Sequence, residues 1–433
     1  MVMLAGFDFL AIRGGTGASV ANVSKVYFSP VLFLNHAATN PVFSFLSSLG
    51  DHKDYAAEYP FYDEPTRAAK FEALRGNRPD SAPTRPVLRT ERPNVVVVIL
   101  ESFARTVMDE QVDGEPVMPH MRRLREEGIW FENFFANSFR TDRGEVALLS
   151  GFPAQTRTSI MKLPGKSRSL PSLARSLDSA GYATSFSYGG DLNFTDQASY
   201  MYATGWQELV WQKDLHFATT PSDWGYDDAV MCDWFADRVI DLDRRGEPFL
   251  AGLLTLSSHK PFDVPYEKFD DKVLNAFAFS DECVGRMVER LKASPAWDNL
   301  LLVLVADHGY PYPRSLTYNE PLRHRIPMIW TGGAVAAPCV VEEYASQIDL
   351  CATLLGQLGL PHDDYDYSKD IFAPAPPRKF AYYTFNDGFG VVDASGAVVW
   401  DATTQQTVSG DDPELLEIGR TMLQTTYVDI SRR

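Results

Sequence analysis

The chain has 433 residues, of which 45% are hydrophobic and 22% are charged, and its formal net charge is -17. This composition excludes an intrinsically disordered chain, and the acidic charge disfavours nonspecific nucleic-acid binding. The length exceeds the usual size of a single core, so more than one domain is expected. The cysteines form no C-x-x-C pair, which disfavours a structural zinc site or a redox motif. Buried free thiols are expected, with disulfides as the alternative that an even number of cysteines permits.

Residues 1–92 form a mixed, aromatic segment without a convincing membrane span. No Asp, Glu, Lys or Arg lies between Val26 and Gly50, but Pro30, Pro41 and several polar residues interrupt this run. A spanning helix needs about 20 predominantly apolar residues, and no basic region followed by an apolar core marks a signal peptide. The sequence alone therefore predicts a soluble chain. Residues 75–93, rich in Pro and Arg, are typical of an extended connector.

The first strong strand signal is the run NVVVVIL, residues 94–100, which predicts a strand buried on both faces and is followed by Glu101. Ligands in open α/β sheets bind beyond the carboxyl ends of strands, so this acid is a candidate for chemistry, with a solvated or capping acid as the alternative. Pro119 and Gly128 bound a predicted short helix. Thr141 precedes a helix-like run, where its hydroxyl would lie near an anion-binding helix N-terminus or act as an ordinary N-cap.

Strand and helix signals continue to alternate along the chain. SLPSLARSLDSAG predicts a helix before the strand YATSFSY, and GEPFLAGLLTLSSH predicts a strand with a polar end. A predicted helix from Lys272 to Lys292 precedes the apolar run NLLLVLVADHG. This alternation predicts an α/β fold with a mostly parallel central sheet and helices on both faces.

The end of the chain has a different pattern. After Arg378, Asn-Asp-Gly and Ala-Ser-Gly turn signals separate alternating runs, which predicts a small antiparallel sheet. We therefore expect three parts: an N-terminal segment over residues 1–92, a large α/β domain over residues 93–377, and a small β subdomain with a terminal helix over residues 378–433.

Three of the predicted strands end in polar residues. Glu101 follows the first, Ser257, Ser258 and His259 follow the second, and Asp307 and His308 follow the third. Because the carboxyl ends of parallel strands share one edge of a sheet, these side chains should converge. Two carboxylates and an imidazole suit a divalent cation, and the nitrogen ligand favours Mn or Zn over Ca. Taken singly, the Asp-His pair is equally explained as a turn cap and His259 as a core histidine.

The motifs ILES, Thr141-x-x-x-Glu145, LTLSSHKPF and ADHG occur in the order found in the sulfatase-like branch of the alkaline phosphatase superfamily. Within that branch, residues from about 94 to 360 most resemble the extracellular catalytic domain of lipoteichoic acid synthase and its relatives. The resemblance implies that Thr141 is the nucleophile, that His259 contacts the substrate phosphate, and that one divalent ion is bound, Mn foremost, with Mg or Zn as alternatives. The implied metal ligands are Glu101, Thr141, Asp307 and His308.

The resemblance implies a metal-dependent transferase that acts on phosphodiester donors, the head groups of phospholipids. It would move phosphoglycerol or phosphoethanolamine to a glycan or lipid acceptor at a membrane surface. Relatives carry N-terminal membrane helices and an exported catalytic domain. The chain is therefore expected to be a soluble ectodomain on the extracytoplasmic face of a bacterial membrane, with residues 1–92 as a linker that wraps the catalytic domain. A sulfatase-like hydrolase or phosphodiesterase and a noncatalytic envelope binding protein are the alternatives.

Two features depart from the family's pattern. In the loop GGDLNFTDQASY, Phe194 matches an aromatic residue that holds glycerol phosphate, but Asp196 falls at the basic position, which predicts weak activity on glycerol-phosphate donors. Arg323, His324 and Arg325 follow the Asp-His strand and are candidates to supply positive charge, with a solvated loop as the alternative. No cysteine lies in the C/S-x-P-x-R motif from which sulfatases make formylglycine, so ordinary sulfate-ester hydrolysis is disfavoured.

Overall fold

Strands and helices alternate along most of the chain, as the sequence predicts. The structure, a computed structural model, describes residues 2–16, 19–48, 53–76, 84–373 and 378–433. Residues 77–83 of the predicted connector, and residues 374–377 at the predicted domain boundary, lie outside this described part.

The described residues form helices and strands, and the strands belong to an eight-stranded sheet, a four-stranded sheet and a two-stranded sheet. The strands are β1 (Asn94–Leu100), β2 (Gln111–Val112), β3 (Glu115–Pro116), β4 (Ile129–Phe135), β5 (Ala183–Tyr188), β6 (Glu208–Trp211), β7 (Phe249–Leu254), β8 (Leu300–Ala306), β9 (Met328–Thr331), β10 (Cys339–Ser346), β11 (Ala381–Phe385), β12 (Gly388–Asp393), β13 (Gly396–Asp401) and β14 (Gln406–Ser409). The α-helices are α1 (Val2–Arg13), α2 (Leu32–Ala38), α3 (Pro41–Ser48), α4 (Glu64–Arg75), α5 (Arg105–Met108), α6 (Pro119–Glu127), α7 (Thr141–Ser150), α8 (Pro164–Ser167), α9 (Leu173–Ser179), α10 (Gln197–Ala203), α11 (Asp228–Arg244), α12 (Lys272–Lys292), α13 (Pro321–His324), α14 (Leu350–Gln357) and α15 (Pro413–Arg432).

The central sheet has the strand order β10-β4-β9-β8-β1-β7-β5-β6. Its strands run parallel, except for β9, which is antiparallel to both β4 and β8. Every residue of the three middle strands, β8, β1 and β7, is buried. Their runs of Val, Leu and Ile fill both faces, as expected for parallel strands that are covered on each side. The predicted fold class, an α/β protein with a mostly parallel sheet, is confirmed.

The helix boundaries follow local sequence signals. α6 begins at Pro119, whose missing N–H costs nothing in the first turn, and its C-cap residue is Gly128. α12 spans the predicted range from Lys272 to Lys292. α9 is shorter than its predicted stretch because Ser172 caps it, accepting a hydrogen bond from the backbone N–H of Ala174.

The C-terminal strands β11 to β14 form a separate antiparallel sheet in chain order, as predicted. α15 packs on β12 and β13. A Cβ atom at Gly419 of this helix would lie 1.9 Å from the ring of Phe389, so the close approach requires glycine. Phe389 in turn stacks on Trp400 at a centroid distance of 5.3 Å. These residues belong to the same hydrophobic core as the central sheet.

The N-terminal segment contacts the rest of the chain at α10 and at α15. Ser24 Oγ accepts a hydrogen bond from the backbone N–H of Ser199 at 3.0 Å. Further along, Arg67 of α4 donates to Thr425 Oγ1 of α15 at 2.9 Å. Within the described ranges, no helix combines the length and the apolar character needed to cross a bilayer.

Candidate active site

The carboxyl ends of β7, β1 and β8 lie side by side at one edge of the central sheet. Leu100 at the end of β1 pairs in parallel register with Ala306 at the end of β8. Glu101 and Asp307, which directly follow these two residues, therefore lie at neighbouring positions on the edge of the sheet. β7 is parallel to β1 on its other side, and the polar stretch that follows β7 leads to His259. The predicted convergence of these three strand ends is confirmed.

Glu101, Asp307 and His308 form an acidic cluster in which one potential ligand atom from each residue lies within 4.8 Å of the others. His308 Nε2 is 3.8 Å from Glu101 Oε1 and 3.6 Å from Asp307 Oδ2. Ser102 joins the cluster by donating from Oγ to Glu101 Oε1 at 2.7 Å. Burial, and after it the charge of Asp307, raises the pKa of the Glu101 carboxyl well above its ordinary value.

Backbone hydrogen bonds hold the acidic cluster in place. Asp307 Oδ1 accepts from the backbone N–H groups of Ser102 and His308, both at 2.7 Å. The backbone N–H of Glu101 donates to Thr255 Oγ1 at 2.9 Å. Ser102 has a φ of +59°, in the left-handed region that non-glycine residues seldom adopt. Strained backbone of this kind, fixed by neighbouring bonds, is common at functional sites.

Thr141 is the first residue of α7, and its hydroxyl is directed to the acidic cluster. Oγ1 donates to Glu101 Oε2 at 3.3 Å. The N-cap position belongs to Arg140, whose side chain makes no capping hydrogen bond. The alternative of an ordinary N-cap threonine is therefore wrong. α7 lies so close to the end of β8 that a Cβ atom on Gly144 would be 2.1 Å from the carbonyl oxygen of Asp307, which only glycine permits.

Glu145 lies one turn after Thr141 but points into the interior of the protein. Both of its carboxylate oxygens are buried without a hydrogen-bond partner. Burial, and after it the charge of Asp307, raises the pKa of this carboxyl well above its ordinary value. Glu145 is not among the residues whose ligand atoms converge in the acidic cluster.

A cavity of about 430 Å³ opens at the acidic cluster. Two bases that the sequence analysis did not single out, Arg140 and Lys260, line it together with Arg323. Three basic side chains around one opening suit an anionic substrate such as a phosphate ester. Asp307 lies buried beneath this cavity. The predicted site residues that line the cavity are Glu101, Thr141, Phe194, His259, His308 and Arg323.

Comparison with known proteins identifies this architecture. A family model described as Sulfatase matches residues 93–360, more than half of the chain. The chain belongs to the sulfatase family. A curated relative, phosphoglycerol transferase I of Xanthomonas axonopodis pv. citri, is 27% identical over 331 residues, which cover 69% of this chain and 45% of the relative. The chain therefore spans less than half of the length of that relative.

Solved structures have the same fold at low sequence identity. A protein of the alkaline phosphatase superfamily from Vibrio parahaemolyticus has a TM-score of 0.76 and 21% identity, covering 87% of this chain and 98% of its own. The lipoteichoic acid synthase LtaP of Listeria monocytogenes has a TM-score of 0.71 and 19% identity, covering 84% and 98%. The predicted resemblance to the sulfatase-like branch and to lipoteichoic acid synthases is confirmed, and so is the prediction of an enzyme of this superfamily.

The acidic cluster of this sulfatase-family chain fits the divalent metal that members of the superfamily use. Asp307 Oδ2 is buried and has no hydrogen-bond partner. Two buried, ionised carboxylates that share an oxygen without a hydrogen-bond partner destabilise the fold unless a cation binds there. The donor set of carboxylate oxygens and one imidazole nitrogen suits Mn, Mg or Zn. The cysteines, in contrast, take no part: none lines the cavity, and all four are free, with Cys232, Cys283 and Cys351 buried.

His259 forms one wall of the cavity with Trp224 and Phe194. Its Nδ1 is 2.6 Å from the carbonyl oxygen of Lys260, so that nitrogen carries a proton and donates it, and Nε2 remains as the acceptor. Burial lowers the pKa of the imidazole, which is therefore neutral at pH 7. The ring of Trp224 lies 4.5 Å from that of His259 and 5.5 Å from that of Phe194. Trp224 lies in a loop without a motif, so no sequence pattern points to it.

Of the three basic residues 323–325, only Arg323 reaches the cavity. Its guanidinium lies 4.3 Å from the centroid of the Tyr318 ring. His324 is buried, and burial lowers its pKa to about 3, so it carries no charge at neutral pH. Arg325 instead forms an ion pair with Glu132 at 2.7 Å. The suggestion that all three supply positive charge to the site is therefore wrong for His324 and Arg325.

Asp196 does not line the cavity, although its neighbours Thr195 and Gln197 do. Its carboxyl lies beside Ser24 of the N-terminal segment, and Oδ1 is buried without a hydrogen-bond partner. Asp196 therefore does not contact a phosphate in the cavity directly, and the prediction of weak activity on glycerol-phosphate donors loses the support of such a contact.

Asp196→Asn should stabilise the protein at pH 8. Burial raises the pKa of Asp196 to about 6, above that of an unfolded Asp, so the free energy of unfolding falls as pH rises between the two values. Asparagine removes this penalty and tolerates the φ of +66° found here. We expect a gain of about 1–2 kcal/mol at pH 8 in urea unfolding, shrinking as the pH is lowered from 6 towards 4. An equal gain at pH 8 and pH 5 would contradict this origin.

Proposed function

We propose that this chain is the catalytic part of a metal-dependent transferase that moves phosphoglycerol from a phospholipid donor to a glycan or lipid acceptor. The main support is the position of Thr141 Oγ1, 3.3 Å from Glu101 Oε2 and beside a cluster that fits a divalent metal. Similarity to a phosphoglycerol transferase I favours phosphoglycerol over phosphoethanolamine. The reaction would take place on the extracytoplasmic face of a bacterial membrane. Residues 1–92 would be a wrapping linker, residues 93–377 the catalytic domain and residues 378–433 a C-terminal subdomain.

In this proposal one divalent ion is held by the acidic cluster and Thr141, with Mn foremost and Mg or Zn as alternatives. A bound ion of this kind supplies a Lewis acid, which lowers the pKa of a neighbouring hydroxyl and neutralises charge on phosphoryl oxygens. Thr141, at the start of α7, also lies where the N-terminal end of a helix favours an anion.

Thr141 acts as the nucleophile in a two-step transfer. Its Oγ1 forms a bond to the phosphorus of the diester, and the bond from phosphorus to the oxygen of the lipid alcohol breaks. Thr141 gives up its hydroxyl proton and the departing alcohol takes one up, so the proton count is unchanged. An acceptor hydroxyl then attacks the same phosphorus and releases Thr141. Splitting the transfer in this way is the usual role of a covalent nucleophile.

The walls of the cavity supply the remaining roles. Arg140, Lys260 and Arg323 would bind the non-bridging phosphoryl oxygens, where charge develops in the transition state. His259, neutral and with its Nδ1 proton held by the Lys260 carbonyl, presents Nε2 to exchange protons with the alcohol groups. Phe194, 38% exposed at the cavity, would pack against the glycerol carbons.

The test uses phosphatidylglycerol labelled in its head-group glycerol, with Mn present and with or without a glycan acceptor. Acid quenching followed by mass spectrometry should find phosphoglycerol on the peptide that contains Thr141, and added acceptor should remove it. Phosphatidylethanolamine should react more slowly. Release of phosphoglycerol to water, unaffected by any acceptor, would indicate the phosphodiesterase alternative. An unlabelled peptide without turnover of either lipid would contradict the proposal.

A further inference from the structure

Asp228, the first residue of α11, is buried, with only 1% of its surface exposed. Acidic residues at the start of a helix are usually solvated or cap the helix, and neither description applies here. The N-cap position belongs to Asp227, which accepts hydrogen bonds from the backbone N–H groups of Ala229 and Val230. The Asp228 carboxylate instead bonds to residues outside α11.

The partners of this carboxylate lie mainly in the turn that follows β7. Asp228 Oδ1 accepts the backbone N–H of Leu256 at 2.7 Å, and Oδ2 accepts that of Ser257 at 3.1 Å. In return, the backbone N–H of Asp228 donates to Ser257 Oγ at 2.8 Å. Oδ2 also accepts from the hydroxyl of Ser280 on α12 at 2.7 Å. Three donors offset the cost of burying this carboxylate, and two of them belong to the turn itself.

The turn after β7 carries two residues of the active site. Ser258 and His259 line the cavity, whereas Asp228 does not. The carbonyl oxygen of Leu256 accepts the backbone N–H of His259 at 3.0 Å. Ser258 Oγ donates to the carbonyl oxygen of Glu101 at 2.6 Å. By holding the backbone of this turn, Asp228 therefore holds the residues that build the wall of the cavity.

The loop that precedes α11 contacts the ring of His259. The ring of Trp224 in this loop lies 4.5 Å from that of His259. A Cβ atom on Gly225 would lie 2.2 Å from the carbonyl oxygen of Gly189, so the loop passes tightly over the residues that follow β5. Asp228 follows three residues later. One buried carboxylate thus joins the turn that carries His259 to the loop that carries Trp224.

We propose that Asp228 is a positioning residue that fixes the direction of His259 Nε2 in the cavity. The ring of His259 contacts Trp224, and its Nδ1 donates to the carbonyl oxygen of Lys260. Both contacts depend on how the turn after β7 lies against the start of α11, where Asp228 joins them. A misplacement of about 1 Å in an active site can cost about 10²-fold in rate. The proposal rests on the proposed function only for turnover, because the proton exchange by His259 belongs to that function.

Asp228→Asn is the main test variant. It keeps the size of the side chain, but its NH2 group cannot accept the hydrogen bond that a carboxylate oxygen accepts. We expect kcat for a diester donor to fall about 10- to 100-fold, with KM changed by less than about twofold. Ser280→Ala is the matched control, since it removes a bond to the same carboxylate but leaves both bonds to the turn. It should keep the wild-type kcat and KM.

A first readout does not require turnover. NMR spectra of the full chain with isotope-labelled histidine, recorded at pH 8 with Mg present, distinguish which ring nitrogen carries the proton, and His259→Gln identifies the signal. Wild type and Ser280→Ala should show His259 protonated at Nδ1 alone, while Asp228→Asn should show a mixture of both tautomers. Ser257→Ala removes the reciprocal bond to the Asp228 N–H. It should shift the signal in the same direction, and it provides the test if Asp228→Asn does not fold.

A second readout shows whether Asp228 acts through His259. In a double-mutant cycle, Asp228→Asn should lower kcat no further once His259→Gln is present, because the group that it positions is gone. A merely structural residue would lower kcat by the same factor in both backgrounds, and that result would overturn the proposal. A wild-type tautomer in the Asp228 and Ser257 variants would also overturn it. Mixed tautomers with unchanged turnover would support the positioning while contradicting the proton exchange assigned to His259 in the proposed function.

Discussion

Thr141→Ala should lose at least about 10³-fold in turnover of a phosphodiester donor while it keeps its fold. In the proposed mechanism Oγ1 forms the covalent bond to phosphorus, and alanine has no atom that replaces it. The substitution also removes the hydrogen bond to Glu101 Oε2, which should lower the free energy of unfolding by only about 1–2 kcal/mol. Turnover and melting temperature are to be measured on the same metal-loaded sample.

Two matched variants define what the Thr141→Ala result means. Thr141→Ser keeps a hydroxyl at the same position and should retain a measurable share of turnover. Ser102→Ala removes the other hydroxyl at the cluster, whose Oγ is 2.7 Å from Glu101 Oε1, and should affect turnover far less than Thr141→Ala. A folded Thr141→Ala protein with more than about a tenth of wild-type turnover excludes Thr141 as nucleophile, because the barrier would then have risen by less than roughly 1.4 kcal/mol. Ser102 would be the next candidate.

The core of the fold could be predicted because the residue pattern of its strands is typical of strands buried on both faces. Seven consecutive apolar residues in β8, and a similar run in β1, satisfy both faces of a covered sheet. Once these strands are parallel, their carboxyl ends must lie at one edge. That constraint places Glu101 beside Asp307 without any knowledge of the loops.

The walls of the cavity could not be predicted in the same way, because loops from distant parts of the chain build them. Asp196 follows Phe194 in a motif-bearing loop, yet its carboxyl is turned away towards Ser24, far earlier in the chain. Trp224 has no sequence signal and owes its position to packing against His259. The helix boundary at Thr141 could be predicted only approximately. Its spacing predicts a helix start, but only the backbone shows that Arg140 takes the N-cap position.

Wild-type protein should hold one divalent ion per chain, and Asp307→Asn should lose both the ion and at least about 10³-fold in turnover. Asparagine replaces the buried, unpartnered Oδ2 with the NH2 group of its amide, which has no lone pair to offer a cation. Its remaining oxygen still accepts the backbone N–H groups of Ser102 and His308, so the strand ends stay in place. Elemental analysis after incubation with Mn and gel filtration measures the ion. Asp196→Asn is the control, since it removes a buried acid outside the cluster and should retain the metal.

Thermal unfolding with and without metal tests the same site independently of activity. In EDTA, Asp307→Asn should melt at or above the wild-type temperature, because it removes the carboxylate repulsion that, after burial, raises the pKa of Glu101. With excess Mn the order of the two melting temperatures should reverse. An ion that binds only to native wild type, at a free concentration of 100 times its Kd, adds about 2.7 kcal/mol to the free energy of unfolding. An ion bound elsewhere would shift both proteins equally. Wild type without metal, even after Mn is added, would contradict the assignment of Glu101, Asp307 and His308 as ligands while leaving the fold unaffected.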